Sequence, residues 1–170
     1  MFKKILAAND GSDHGRQATR VAGNLAGRYD AELFVAHVIT DKPVPEEMRR
    51  MAEVEHLVKE PKPEAEAESS LGRLSLKPSR DALDQQLKSA IAARLLEQSV
   101  SLAQGEGATK VQPLELEGDA AEALVAAVAE RGIDLVVIGS RSFGPLGRLM
   151  HGSVSTKVSH ESRCPCLIVK

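Results

Sequence analysis

Five short apolar runs are spaced along the chain and alternate with longer segments of helical periodicity. The fourth run, Asp134–Ile138, is of the type that forms a strand buried on both faces. Strands that alternate with helices predict an α/β protein, with an open parallel sheet and helices on both of its faces. The five runs are Ile5–Ala8, Leu33–Ile39, Val111–Leu116, Asp134–Ile138 and Cys166–Val169.

Apolar residues at helical spacing predict four helices around these strands. They are expected after the turn Asn9–Asp13, from about Leu83 to Gly105, from Asp119 to Gly132, and from Val154 to Ser162. Asp119 and Glu122 have the spacing of a capping box, with Asp in place of Ser or Thr. Gly132 is a typical C-terminal stop for that helix.

Pro113 interrupts the third apolar run. A proline has no N–H group to donate to a neighbouring strand, and within sheets it is confined to edges or bulges. The third strand is therefore predicted to lie at an edge of the sheet.

A segment rich in Pro and Glu, from about Asp41 to Ala82, separates the second strand from the long helix. It contains five prolines and the acidic tract Glu64–Glu68. Weak helical periodicity before Pro61 predicts a short helix, followed by an exposed segment. Two hypotheses stay open for it, a solvated loop and a partner-binding arm. We expect residues 1–170 to form a single domain with this insertion, because 170 residues suffice for one core.

Composition narrows the range of partners. The formal net charge of −2 and a pI near 6.2 give no electrostatic reason to expect nucleic acid or an anionic membrane as a partner. One Tyr, three Phe and no Trp make a base-stacking platform an unfavourable hypothesis. No segment has the apolar length of a membrane-spanning helix, and Met1–Lys4 leads into a strand rather than a signal peptide.

Cys164 and Cys166 are the only cysteines. Strand residues two apart lie about 6.5–7 Å from each other, which is too far for a comfortable disulfide. Free thiols predict a cytoplasmic location.

A glycine-rich loop lies between the fourth strand and the last helix, from Gly139 to Ser153. Glycines let backbone amides approach an anion, and a helix N-terminus adds unpaired N–H groups, so this arrangement can hold a phosphate. The P-loop motif is excluded, because Pro145 and Leu146 stand where it needs Lys and Ser or Thr. From these residues alone, a phosphate-binding loop and a loop whose glycines only turn the chain are equally supported.

The turn Asn9–Gly11 follows the first strand. Ligands of open α/β sheets bind beyond the carboxyl ends of strands, where the strand order reverses. If the first and fourth strands are neighbours, this turn and the glycine-rich loop line one crevice. Asp10 then has two possible roles, a hydrogen bond to a ribose hydroxyl or a cap on the following helix.

Three segments together resemble the universal stress protein family. Members carry the motif Gly-x2-Gly-x9-Gly-Ser/Thr near the C-terminus, and Gly139, Gly152 and Ser153 match it here. Ala8–Ser12 resembles the end of the family's first strand, and Glu117–Asp119 resembles the end of its third. The resemblance covers nearly the whole chain except the insertion.

The resemblance implies a Rossmann-like sheet of strand order 3-2-1-4-5, with the first and fourth strands adjacent. In ATP-binding members the residue matching Asp10 contacts the nucleoside, that matching Val38 meets the adenine, and Gly118 would leave room near the ribose. The glycine-rich loop would hold the phosphates, with Mg²⁺ or Mn²⁺ bound to them. The implied nucleotide-binding set is Ala8, Asn9, Asp10, Val38, Gly118, Gly139, Ser140, Arg141, Ser142, Gly144, Gly152, Ser153, Val154 and Ser155.

Ser142 departs from the family motif, since it occupies the position of the second Gly. If that position needs a positive φ or a close backbone approach, Ser costs about 1 kcal/mol or more. Gly144 and Gly147 offer other places to turn the loop. We therefore expect ATP binding, but weakened.

The expected function is that of an ATP-binding, nucleotide-dependent regulator of the stress response, with no catalytic residue assigned. The alternative is a nucleotide-free interaction module of the same family, and slow ATP hydrolysis is a third hypothesis. A homodimer is expected through Leu167–Val169, because an exposed apolar strand edge associates unless it is paired or covered, and related proteins pair it with its two-fold mate.

Overall fold

The computed structural model describes residues 1–41, 44, 80–140 and 153–170, and it contains five strands and four helices within those ranges. The predicted short helix before Pro61 and most of the glycine-rich loop lie outside the described residues. The strands are β1 (Lys4–Ala8), β2 (Glu32–Ile39), β3 (Lys110–Glu117), β4 (Leu135–Gly139) and β5 (Cys166–Val169). The helices are α1 (Asp13–Tyr29), α2 (Arg80–Gly105), α3 (Ala120–Arg131) and α4 (Ser153–Glu161).

The five strands form one parallel sheet in the order β3-β2-β1-β4-β5. This order confirms the expected fold, a Rossmann-like α/β sheet with β1 and β4 side by side. Pro113 lies in β3 at one edge of the sheet, as its missing N–H group predicted. The order reverses between β1 and β4, and that is where ligands of such sheets bind.

Helices cover both faces of the sheet, which explains why its central strands are almost continuously apolar. Successive residues of a strand point to opposite faces, so Ile5 and Leu6 of β1 belong to different cores. Leu6 packs in the core that includes buried residues of α3 and α4, namely Leu124, Val128 and Val158. Ile5 packs in the core that includes Ala18, Ala22 and Ala26 of α1.

Asp134 fastens β4 to β1 at the amino ends of the two strands. Its carboxylate accepts hydrogen bonds from the backbone amides of Lys3 (2.7 Å) and Lys4 (3.3 Å). Its own amide donates to the carbonyl of Lys4 at 2.9 Å. These bonds fix the pairing of the two strands whose opposite ends carry the candidate site.

The ends of α3 follow the sequence prediction. Asp119 is the N-cap, and its Oδ1 accepts hydrogen bonds from the amides of Ala121 and Glu122, both at 3.1 Å. Gly132 is the C-cap in the left-handed conformation, with φ of 64°. Asp30 ends α1 in the same conformation, with φ of 53°, which is unusual for a residue other than glycine.

The chain divides into two compact units. One comprises residues 1–41 and 92–170 and contains the whole sheet, and the other comprises residues 42–91. Helix α2 begins in the second unit and ends in the first. Among the residues that the structure describes, no helix is both long and apolar enough to cross a membrane.

Candidate functional site

The candidate site lies at the carboxyl ends of β1 and β4. Ala8 at the end of β1 is paired with Ile138 of β4, so the residues that follow each strand emerge side by side. Asn9 and Asp10 follow β1, while Gly139 ends β4 and Ser140 follows it. The structure thus brings together two of the segments that the sequence singled out.

Asp10 is exposed at this edge and organises the start of α1. Its Oδ1 accepts hydrogen bonds from the Ser12 amide (3.0 Å) and the Ser12 hydroxyl (2.5 Å). Ser12 is the N-cap of α1, and its Oγ accepts from the amide of Gly15 at 3.1 Å. The helix cap is therefore Ser12, and Asp10 holds that cap in place from the crevice side of the turn.

Asn9 is 4% exposed and has hydrogen-bond partners on three sides. Its backbone amide donates to the carbonyl of Ala36 at 2.9 Å, and its carbonyl oxygen lies 2.9 Å from Nδ1 of His37. Its side-chain Oδ1 accepts from the amide of Gly11 at 2.9 Å, and its Nδ2 donates to Oγ of Ser99 at 2.8 Å. Asn9 thus anchors the turn that presents Asp10.

Two glycines let α1 approach the ends of β1 and β4. A Cβ on Gly15 would lie 2.5 Å from Oδ1 of Asn9 and 2.9 Å from Oδ1 of Asp10. A Cβ on Gly139 would lie 2.6 Å from the carbonyl carbon of His14. Real Cβ atoms do not make such contacts, so both positions need glycine for the backbone to pack this closely.

Val38 and Gly118 lie towards the ends of the other two strands on this side of the sheet. Val38 is half-buried and packs against the core under α3 and α4. Gly118 follows β3 with φ of +107°, and its amide donates to the carbonyl of Ile39 at 3.0 Å. Among the residues that the structure describes, and apart from its two chain neighbours, Gly118 has no atom within 4 Å of where its Cβ would be, so this part of the chain leaves the space beside it open.

Ser140 and the start of α4 border the glycine-rich loop. Ser140 is buried, and its amide donates to the carbonyl of Val169 at 2.7 Å, which extends the pairing of β4 with β5. In the first turn of α4, Ser153 is exposed, Val154 is half-buried and Ser155 is buried. The remaining candidates, Arg141, Ser142, Gly144 and Gly152, lie outside the described residues.

Comparison with known proteins identifies the family. The model of the universal stress protein family matches residues 1–170, the whole chain. The chain belongs to the universal stress protein family. A curated relative from Thermus aquaticus, the universal stress protein in the QAH/OAS sulfhydrylase 3' region, is 33% identical over 170 residues, which is 100% of both chains.

Solved universal stress proteins share the fold. One, determined in complex with cAMP, has a TM-score of 0.67 and 24% identity, and the match covers 99% of this chain and 97% of that one. Another, from Archaeoglobus fulgidus in complex with dAMP, has a TM-score of 0.58 and 17% identity, and the match covers 100% and 98% of the two chains.

The two cysteines of this family member lie at the other end of the sheet, where β5 begins. Both are free thiols and half-buried. Burial raises the pKa of Cys164, and the negative charge of Asp134 raises it further. Burial likewise raises the pKa of Cys166, with a smaller contribution from Cys164. Both thiols are thus held in the protonated form at neutral pH, away from the candidate site.

Sequence reasoning missed two residues of the candidate site, Gly15 and Ser99. The available signal for Gly15 was its place within a predicted helix, because glycine favours helix formation less than alanine does and therefore needs a reason. Ser99 gave no signal, because a serine inside a long helix looks like any surface serine. Both act through contacts with Asn9 that only the folded chain creates.

Proposed function

We propose that this universal stress protein binds an adenine nucleotide, with ATP as the ligand, in the crevice beyond β1 and β4. It acts as a nucleotide-dependent regulator of the stress response rather than as a dedicated catalyst. The observation that carries the proposal is the pairing of Ala8 with Ile138, which sets the Asn9–Asp10 turn beside Gly139 and Ser140 where the strand order reverses.

The described residues fit the nucleoside half of such a ligand. Asp10 is exposed at the crevice, so its carboxylate can accept a hydrogen bond from a ribose hydroxyl. Val38 offers a half-buried aliphatic surface for the base, in a chain that has few aromatic residues. The described residues leave the space beside Gly118 open, which gives room for the sugar.

In this proposal, the segment that joins β4 to α4 binds the phosphates. Ser153 is exposed at the first residue of α4, a position where backbone N–H groups and the helix dipole favour an anion. The proposal assigns the rest of the phosphate contacts to the loop that carries Gly139, Ser140 and the candidates outside the described residues.

The ligands of the solved relatives support the adenine class. Two relatives of the same fold were determined with cAMP and with dAMP, which share the adenine base and differ in the sugar and phosphate. Each of those ligands carries one phosphate, whereas ATP carries three. The choice of ATP over a monophosphate is therefore the part of the proposal that a titration decides.

Mg²⁺ or Mn²⁺ would enter with the phosphates. Among the residues that the structure describes, no group of three or more His, Cys, Asp or Glu side chains is placed to hold a metal ion. The ion would neutralise phosphate charge, and the protein would bind the nucleotide through the residues named above. A divalent ion alone should therefore bind weakly.

A homodimer and a cytoplasmic location belong to the same proposal. Leu167 of β5 is 40% exposed at the sheet edge opposite Pro113, and an apolar edge of this kind is stabilised when it pairs with a second copy. Cys164 and Cys166 are free thiols, which agrees with a reducing compartment.

The proposal is tested first on the protein as purified. We expect denaturation to release an adenine nucleotide that mass spectrometry identifies, and calorimetric titration of the nucleotide-free protein to show binding of Mg-ATP. Titrations with ADP, AMP and cAMP in the same buffer rank these nucleotides and ATP by affinity. If none binds, the nucleotide-free interaction module replaces this proposal.

A matched pair of variants tests the role of Asp10. Asp10→Asn keeps an oxygen that accepts from Ser12 and removes the charge, whereas Asp13→Asn makes the same change three residues later, at an exposed carboxylate that pairs with Arg16. We expect Asp10→Asn to weaken ATP binding about tenfold, since hydrogen bonds to charged groups contribute about 1.5–3 kcal/mol. Asp13→Asn should leave the affinity within twofold of the wild type. Equal affinities for the two variants would remove Asp10 from the site.

A further inference from the structure

The buried side chain of Asn9 has a fixed orientation in this fold. Its Oδ1 faces the Gly11 amide and its Nδ2 faces the Ser99 hydroxyl, at 2.9 and 2.8 Å. An N–H group needs an acceptor, so the orientation depends on Ser99 offering a lone pair. A carbonyl oxygen can only accept, so the contact of His37 with the Asn9 backbone requires the proton on Nδ1 of His37.

Ser99 is well suited to accept that hydrogen bond. It lies inside α2 and is 2% exposed. Its hydroxyl proton is directed to the carbonyl of Leu95, one turn earlier, at 2.6 Å. Since a hydroxyl has one proton and two lone pairs, Oγ can then act only as an acceptor towards Asn9. The chain of bonds thus runs from the Asn9 amide through Ser99 to the backbone of α2.

Asn9 is also confined from the opposite side. Gly15 of α1 packs so closely that a Cβ there would lie 2.5 Å from Oδ1 of Asn9. Gly11, whose amide donates to that same oxygen, has φ of 84°. The turn that presents Asp10 is therefore held between two helices, with Ser99 supplying the hydrogen bond from α2.

We infer that Ser99 is a positioning residue for the nucleoside end of the site: it orients Asn9, which fixes the Gly11 amide and so the direction in which Asp10 faces a bound nucleotide. This inference rests on the proposed function for its effect on ligand affinity. Its structural part, the control of the Asn9–Gly11 turn, stands on the contacts alone.

Ser101 provides a matched control on the same helix. It makes the same type of bond to the carbonyl four residues earlier, Oγ to Glu97 at 3.1 Å, but it is exposed. Ser99→Ala and Ser101→Ala therefore remove the same hydroxyl and the same local helix contact. They differ in that Ser99 bonds to Asn9.

Two measurements separate positioning from general stability. The hydrogen-exchange rate of the Gly11 amide, measured by NMR in the ligand-free protein, reports whether Asn9 still accepts its hydrogen bond. The ratio of ATP to 2′-deoxyATP affinity reports whether Asp10 still meets the ribose, because a loss of global stability would weaken both ligands equally. We expect Ser99→Ala to speed Gly11 exchange and to weaken ATP binding, each about fivefold, and to reduce the ribose preference. Ser101→Ala should match the wild type in Gly11 exchange, in ATP affinity and in ribose preference.

A second variant covers the case in which Ser99→Ala does not fold. Ser99→Cys keeps the shape of the side chain with a larger sulfur atom and replaces a strong acceptor with a weak one, so the hydrogen exchange of its Gly11 amide should lie between those of the wild type and the alanine variant. Unchanged Gly11 exchange in folded Ser99→Ala or Ser99→Cys would overturn the inference. If the wild type binds no nucleotide, the proposed function fails, and the exchange data alone decide whether Ser99 positions the turn.

Discussion

The backbone of His14 lies so close to Gly139 that a Cβ on Gly139 would stand 2.6 Å from the carbonyl carbon of His14 and 2.7 Å from its oxygen. Gly139 was expected from the sequence as part of a phosphate-binding motif. The structure gives the same residue a packing role, because α1 passes directly over the end of β4. The two roles make different predictions.

Gly139→Ala should destabilise the protein even when no nucleotide is present. The new methyl group meets backbone atoms that cannot rotate away, and overpacking of this kind costs about 1–3 kcal/mol. Urea unfolding of the nucleotide-free protein measures the loss. Gly105→Ala is the control, because apart from the backbone of α2 itself no atom of the described residues lies within 4 Å of that Cβ position. A Gly139→Ala variant as stable as the control would leave only the ligand role.

Gly118 and Gly107 form a second matched pair. Their φ angles are +107° and +105°, and apart from chain neighbours no atom of the described residues lies within 4 Å of either Cβ position. Alanine should cost about 1–2 kcal/mol at either site, because the conformation itself disfavours a side chain. Gly118 follows β3 on the side of the candidate site, whereas Gly107 precedes β3 at the opposite end.

We therefore expect Gly118→Ala, and not Gly107→Ala, to weaken ATP binding in a titration corrected for the folded fraction. Equal affinities would show that the space beside Gly118 is not part of the site.

Leu167→Lys should convert the proposed dimer to monomers. Leu167 is 40% exposed on β5, and a charge placed on an edge strand opposes pairing with another strand. Light scattering at micromolar concentration measures the mass. Tyr29→Lys is the control, since Tyr29 is similarly exposed, at 42%, but lies at the end of α1. A wild-type protein that is already monomeric would contradict the prediction.

The free energy of unfolding should fall as the pH rises above about 8.5, the ordinary pKa of a thiol. Burial raises the pKa of Cys164 and Cys166 in the folded protein, so the unfolded chain loses these protons first. The contribution of the two protonated thiols to the free energy of unfolding is present in full below pH 8.5. It is lost as the pH rises through their raised pKa values in the folded protein. The pKa of Lys157, raised by its hydrogen bond to Glu122, acts in the same direction at higher pH.

Urea unfolding at pH 8 and pH 10 measures this slope. A variant with both Cys164→Ala and Cys166→Ala should lose less stability between the two values than the wild type does. Identical losses would mean that the thiols titrate alike in the folded and unfolded chains.

The sheet could be predicted because its determinants are local or carried by the family resemblance. Apolar runs marked the central strands, and Pro113 marked the edge. The contacts that shape the candidate site could not be predicted in the same way. Ser99 is 90 positions from Asn9, and from the sequence it cannot be told apart from exposed Ser101. Only the approach of α2 to Asn9, the residue after β1, gives one of these serines a buried side-chain amide to bond.

The two edges of the sheet have opposite character, and this limits how far copies of the protein can associate. β3 carries Pro113 among polar side chains and offers little to an incoming strand, whereas β5 is apolar. Once two copies have joined through β5, both ends of the combined sheet are β3 edges. In the proposed dimer, growth would then stop at a closed pair, and association through β5 would not extend into fibres.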